Sequence, residues 1–247
     1  MDISIGILTY FAPVTLEYTL GTYKRSGLLS LSDDVFVIIQ KSDRQDFEKS
    51  VCEAFGIKYI CLPNNTMMAG GFKQIYETAK YDKILFLEND FVNFCSHNET
   101  INFIENSIYF IDNGADIVRG RNRRNSGDPN YAKMNLCNIS PEEFKNSTLL
   151  SECIYWLENP ETVYNSITKI APLKGYDDWY TTTSRYCNYT NNPYVCTKSF
   201  FEKAILPNVV DGQILEDAMD KIWQDQNYKC VFGPGLFTHH RMYDGHF

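Results

Sequence analysis

The chain has no basic excess: 23 Lys and Arg stand against 31 Asp and Glu, a formal net charge of −8. A broad nucleic-acid footprint needs a positive face, so that class of partner is excluded. No run of about 18 apolar residues occurs, and with it a membrane-spanning helix is missing. Residues Met1 to Tyr10 have neither the basic start nor the long apolar core of a secretory leader. The eight cysteines (52, 61, 95, 137, 153, 187, 196 and 230) are widely separated, without a CxxC pair or a Cys/His ligand spacing, which argues against zinc. Cys61, Cys196 and Cys230 lie in apolar strand-like segments, where a thiol acts as a small hydrophobe. Reduced thiols, and hence a soluble cytoplasmic protein, are the expectation. Five Asn-x-Ser/Thr sequons, at Asn64, Asn98, Asn138, Asn146 and Asn188, point the other way, although so Asn-rich a chain produces them by chance. P-loop and GxGxxG patterns are also missing, which removes the common ATPase and dinucleotide readings. Without repeats, low-complexity tracts or a linker, residues 1–247 read as one domain with two lobes, about 1–95 and 96–247.

What is present is an alternation of strands and helices. Apolar runs at 3–9, 35–40, 57–62 and 84–88 read as strands, the last bounded by Tyr81-Asp82-Lys83, with helices over 15–26, 44–55 and about 72–80 between them. Glycines Gly70 and Gly71 fall in the loop opened by Pro63, Asn64 and Asn65. Such spacing predicts right-handed βαβ units and an α/β fold with a mostly parallel central sheet flanked by helices. The second half is less regular: helix over 100–112, strand over 116–119, a basic loop at 120–135, a weakly periodic stretch at 136–192, a short strand at 193–197. Helices over 198–206 and 212–226 and a strand at 228–232 follow, then a glycine turn before His239.

The stretch Ile84 to Phe91 ends an apolar run in two carboxylates, Glu88 and Asp90. Acids at the exit of a buried strand are costly to leave unpaired, so they reach water, a cation or a ligand. Side chains at i and i+2 of an extended segment point to one side, so the two converge on a hard divalent cation or simply face solvent. Ligands on parallel sheets bind beyond the carboxyl ends of the strands, where Thr9, Tyr10, Gln40 to Asp43, the 63–71 loop and Glu88 to Asp90 all fall.

In that order, and with the acidic pair Leu215-Glu216-Asp217 and the histidines of Gly235 to Arg241 downstream, the chain resembles the GT-A fold of nucleotide-sugar glycosyltransferases, most closely family-2-like members. The resemblance runs over residues 3–241. It implies a metal-dependent, inverting transfer of a sugar from a UDP-, GDP- or dTDP-sugar to a hydroxyl on a glycan, lipid or protein. Glu88-Asn89-Asp90 takes the place of the DxD motif, with Mn2+ or Mg2+ held by Asp90, Glu88 and His239. The departure is Glu at the first acid, whose longer side chain reaches either metal-bound water or ribose. Asp217 takes the place of the catalytic base, because a sugar hydroxyl needs a carboxylate to accept its proton. Either His239 or the adjacent His240 fits the metal histidine, with His239 favoured for its place after a strand. Thr9, Tyr10, Asp43, Asn65, Gly70, Gly71, Lys73 and Asn89 are the expected donor contacts, and Arg241 a phosphate partner.

Two further features stay open at this level. Arg119, Arg121, Arg123 and Arg124 form either a solvated face or a contact to acceptor or phosphate. Tyr176 to Tyr180 forms either an acceptor platform or packing. Rival functions are a sugar-1-phosphate nucleotidyltransferase, for which the glycine-rich basic loop after the first strand is lacking, and a non-catalytic nucleotide- or sugar-binding module.

Overall fold

The computed structural model describes residues 1–127, 154, 157–175 and 178–244. Tyr176, Asp177, Cys137, Cys153 and the sequons at Asn138 and Asn146 lie outside them.

The chain begins with β1 (Ser4–Thr9), α1 (Pro13–Ser26), β2 (Val35–Ile39), α2 (Gln45–Phe55), β3 (Lys58–Cys61), α3 (Met67–Thr78) and β4 (Lys83–Glu88). β1 lies between β2 and β4, β3 pairs with β2, and all of these pairings are parallel. α1 and α2 each connect parallel neighbours, and α3 crosses from the edge strand β3 to β4 on the other side of β1, which is the kind of connection parallel strands need. After β4 come β5 (Phe91–Asn93), α4 (His97–Asp112) and β6 (Ile117–Arg121), and then β7 (Thr168–Ile170), β8 (Trp179–Thr183) and β9 (Tyr194–Thr197). A helical stretch at 198–208 changes from α to π over Phe201–Ile205 and to 3-10 over Leu206–Asn208. The chain ends with α5 (Leu215–Trp223) and the long strand β10 (Lys229–His239).

The described strands form one sheet in the order β3-β2-β1-β4-β9-β6-β10-β8-β7, with β5 added to β10. β9 enters antiparallel between β4 and β6, whereas β6 and β10 are parallel. The parallel block thus belongs to the first lobe and the mixed block to the second.

Alternation in β4 divides the interior. Ile84 and Phe86 face a core with Phe72 and Ile75 of α3, Phe201, and Leu215, Met219 and Trp223 of α5. Leu85 and Leu87 face the other core, with Leu16, Leu20 and Tyr23 of α1 and Phe103 and Ile104 of α4. By the same two-residue period, Glu88 leaves the strand on the α3/α5 side. At about 25 cal/mol per Å² of apolar surface removed from water, these two layers are the main source of stability.

Several segments differ from the sequence expectation. α3 starts at Met67, so Gly70 and Gly71 lie inside the helix and not in a loop. A Cβ on Gly71 would stand 2.5 Å from a Leu8 methyl, and one on Gly70 2.4 Å from Thr66. At Gly71 the close approach is of helix to strand, and at Gly70 it is to Thr66 at the N-cap of the same helix. The expected glycine turn before His239 is instead part of β10: Gly233 and Gly235 sit in a register shift between Phe232 and Phe237. Cys61 is exposed and does not pack as a small hydrophobe, whereas Cys196 and Cys230 are fully buried.

Candidate functional site

The turn after β4 is held at three successive carbonyls. The Thr19 hydroxyl donates to Asn89 O (2.6 Å), His240 N to Asp90 O (2.7 Å) and the Tyr23 hydroxyl to Phe91 O. Asn89 N in turn donates to Leu8 O (3.0 Å). Two turns of α1 and the end of β10 thereby grip the backbone on which the acids are mounted, before any side chain is considered. Burial, and then the Asp90 carboxylate, raise the Tyr23 phenol well above its ordinary range, so it stays a donor.

β4 ends at Glu88 and Asp90 follows in the turn, so the two acids are not on one extended segment, yet their carboxylates act on each other electrostatically. Asp90 Oδ2 lies 3.3 Å from His239 Nε2. Asp90 Oδ1 is buried without a hydrogen-bond partner. A buried, unpaired carboxylate oxygen carries a penalty of a few kcal/mol unless a ligand meets it. Glu88 is half-buried beside it. Burial, and next the Asp90 and Glu216 carboxylates, push its carboxyl well above the usual range, opposed by the Arg241 guanidinium. Crowded acids in this state suit a cation, which removes the repulsion between them. Among the described residues, no set of three His, Cys, Asp or Glu side chains encloses a metal ion by itself. Asp90 and His239 fit one side of a shell whose other positions remain open to oxygen donors of a ligand.

The two histidines are separated in role. His239 reaches Asp90 and meets the Phe91 ring edge-on, with centroids 5.4 Å apart. The His240 ring instead lies against Tyr18 and Phe94, at 5.4 and 6.4 Å. Strand alternation turns neighbours to opposite sides, and only the first meets the acids.

α5 places its acidic pair unequally. Leu215, Met219 and Trp223 are buried. Glu216, one residue round the helix, comes within electrostatic reach of Glu88 and accepts a hydrogen bond from Asn191 N (2.7 Å). Asp217 is exposed in the first turn of α5. Glu216 is thus the cleft-facing acid; the helical period of the buried residues was the signal that marked it.

The expected donor contacts divide in the same way. Thr9 is buried and its hydroxyl donates to Glu48 Oε1 (2.6 Å), so it organises the loop from inside. Tyr10, Asp43 and Asn65 are exposed at the carboxyl ends of β1, β2 and β3. Asn65 Oδ1 accepts from Met67 N (2.9 Å). Lys73 faces Glu77 across one helical turn at 3.9 Å, away from the acids. Phe11 (φ 56°), in the loop after β1, and Met67 (φ 55°), the first residue of α3, are non-glycine residues held in the left-handed region. Such strain persists where surrounding structure enforces it and concentrates at functional sites.

The basic cluster is neither a solvated face nor a ligand contact at its first and third members. Arg119 is buried, donates to Thr190 O (2.8 Å), and lies over Tyr189, Tyr194 and Trp223 at 5.7 to 5.8 Å from their centroids. Arg123 pairs with Asp178 and donates to Ile154 O (2.7 Å). Arg121 donates to Ser126 O (2.9 Å), and Arg124 is exposed. Trp179 and Tyr180 are 1% exposed, so the described part of the 176–180 aromatic stretch is packing and not an acceptor platform.

No protein-family model matches the chain, and no curated protein does. Solved structures do. Glucosyl-3-phosphoglycerate synthase from Mycobacterium tuberculosis, in complex with Mn2+, UDP-glucose and phosphoglyceric acid, is similar over 98% of this chain and 72% of that one, at 12% identity and a TM-score of 0.51. Its complex with Mn2+, UDP and phosphoglyceric acid gives 0.53 at 12% identity, over 98% and 72% of the two chains. A mycobacterial protein gives 0.54 at 15% identity, over 98% and 68%. Likeness over nearly the whole chain at so low an identity speaks to architecture: the fold is α/β of the GT-A type.

Proposed function

We propose that this protein is a metal-dependent glycosyltransferase that moves a sugar from a nucleoside-diphosphate sugar to an acceptor hydroxyl. The observation that carries the reading is the buried, partnerless Asp90 Oδ1 beside His239 at the carboxyl end of the parallel block. Asp90 and His239 would hold Mn2+ or Mg2+, with Glu88 next to them binding metal-bound water or ribose. When bound, the ion supplies neutralisation of charge on the leaving diphosphate. UDP is the first nucleotide to test, because the similar mycobacterial synthase is recorded with UDP-glucose or UDP and Mn2+.

The chain's own groups do the rest. Tyr10, Asp43 and Asn65 offer the base and ribose exposed side chains at adjacent strand ends. Arg241, beside Glu88, presents a guanidinium suited to a phosphate oxygen pair. Asp217 accepts the acceptor proton: Glu216 has one oxygen engaged by Asn191 N, whereas Asp217 is open to an incoming hydroxyl. A positioned carboxylate base contributes roughly 10²- to 10⁴-fold. Attack opposite the leaving group then inverts the anomeric centre. A soluble enzyme with a small or glycan-type acceptor fits the lack, among the described residues, of any helix long and apolar enough to cross a membrane.

Products decide between this and its rivals. Incubation with UDP-, GDP- and dTDP-sugars plus Mn2+ and an acceptor panel is expected to release a nucleoside diphosphate. Release of pyrophosphate from a nucleoside triphosphate supplied together with a sugar 1-phosphate would instead mark a nucleotidyltransferase, binding without turnover a recognition module, and a product of retained configuration would remove the inverting step.

A further inference from the structure

Helix α1 has no N-terminal cap of its own. Its N-cap residue, Ala12, offers no side chain for the purpose, and its first turn contains no acid. The free N–H groups at a helix start need acceptors. Here they come from distant parts of the chain. Ala12 N donates to Glu48 Oε1 (3.1 Å), and Val14 N to Asp244 Oδ1 (2.7 Å). Thr15 N lies 3.3 Å from Asp244 Oδ2, and the Thr15 hydroxyl also donates to that carboxylate. Asp244 is 5% exposed, unusual for an acid so near the end of the chain. Thr15 Oγ1 accepts in turn from Met242 N (3.1 Å).

The segment after β10 is therefore anchored twice. His240 N is fixed on Asp90 O (2.7 Å), and Met242 and Asp244 are fixed on the first turn of α1. Arg241 is the one residue between the anchors, and its guanidinium acts on Glu88. An Arg on an unanchored segment loses rotamer and backbone entropy each time it orders on a ligand. Held at both sides, it is pre-organised.

We propose that Asp244 is a positioning residue for the donor diphosphate. By capping α1 it ties residues 240–244 to the first turn of that helix and so holds Arg241 within electrostatic reach of Glu88. This rests on the nucleotide-sugar reading above.

The test is a double-mutant cycle in the full chain. The probe is whichever of UDP, GDP and dTDP shows the largest Mn2+-dependent stabilisation, followed by titration calorimetry and donor KM. Asp244→Ala is expected to weaken Mn2+-dependent nucleotide binding about tenfold and raise donor KM with kcat little changed. Asp244→Asn should restore most of the affinity, because Asn caps a helix about as well as Asp. Most informative is coupling: Asp244→Ala combined with Arg241→Ala should bind no more weakly than Arg241→Ala alone. Should Asp244→Ala fail to fold, Thr15→Val carries the cycle, with a smaller shift in the same direction. Unchanged affinity in the variant, or additive losses in the pair, would overturn the inference alone. An unaltered chain that binds none of the three nucleotides with Mn2+ would overturn the glycosyltransferase reading and this inference together.

Discussion

The two acidic stretches of the cleft, Glu88 to Asp90 and Glu216 to Asp217, look alike in the sequence and differ in how they are built. The first is mounted on a backbone held at three consecutive carbonyls by Thr19, His240 and Tyr23. The second opens a nine-residue helix and leaves one acid exposed. A rigid turn with a buried oxygen suits a fixed charge such as a metal ion, whose geometry must not vary. An exposed acid in a first helical turn suits an exchanging partner that arrives, gives up a proton and leaves. On the proposed reading, the difference in support matches a binding role for the first stretch and a catalytic one for the second.

The sharpest break in that comparison is Asp90→Ala. Removal of the acid whose buried, partnerless oxygen lies beside His239 is expected to abolish Mn2+-dependent donor binding and lower transfer by at least about 10³-fold, the equivalent of roughly 4 kcal/mol, measured by calorimetry and by product release. Asp217→Asn should lower kcat by about 10² to 10⁴ and leave the donor Kd within about twofold; if Glu216→Gln alone shows that pattern, the base is the cleft-facing acid. His239→Ala should cost about 10- to 100-fold in Mn2+ affinity, whereas His240→Ala, which removes a ring packed on Tyr18 and Phe94, should change thermal stability more than metal affinity.

Two stability measurements extend the contrast beyond the cleft. Arg123→Ala leaves Asp178 without its partner at the base of the second lobe, and breaking so buried a pair costs about 3–5 kcal/mol, visible as a lower Tm. The smallest effect belongs to α4. Ser96 and Glu99 form a reciprocal capping box there. Hydrogen bonds from the Ser96 side chain and backbone hold the Glu99 carboxyl below its ordinary value. A carboxyl lowered by folding stabilises above its unfolded pKa, and that contribution is lost as pH falls through the folded value. Glu99→Ala should cost about 0.5–1 kcal/mol at neutral pH and progressively less in acid, read from unfolding curves across that range.

Much of the first half was legible because β1, β2 and β4 are buried on both faces and bounded by turn residues, so apolar runs at 3–9 and 35–40 correspond to β1 and β2; the run at 57–62 corresponds to β3, an edge strand that is only partly buried. The acid pair was legible for the same reason: polar residues at the end of such a run have few destinations. What escaped was contact-dependent. Gly70 and Gly71 signal a loop in isolation, and only the closeness of Leu8 and Thr66 explains glycine inside α3. Arg119 and Arg123 read as surface, yet the rings and carbonyls that bury them come from 154–194, where local periodicity is weak. Asp217 was read from spacing along the chain; only the burial of Leu215, Met219 and Trp223 shows that its neighbour faces Glu88.

β10 acts as a ruler for the site. It runs from Lys229 to His239 alongside β6, β8 and β5, and its register shifts once, between Phe232 and Phe237. At that shift Gly235 takes φ 68°, and a Cβ there would stand 2.0 Å from Arg121 O. Because side chains alternate along a strand, the number of residues counted off after the shift decides which histidine meets Asp90. Loss of a single residue between Phe232 and Phe237 would put His240 in place of His239 and draw Arg241 one step back from Glu88. Chain length across this short interval is thus under the same constraint as the identity of the acids, and related sequences are expected to vary here by substitution and not by insertion or deletion.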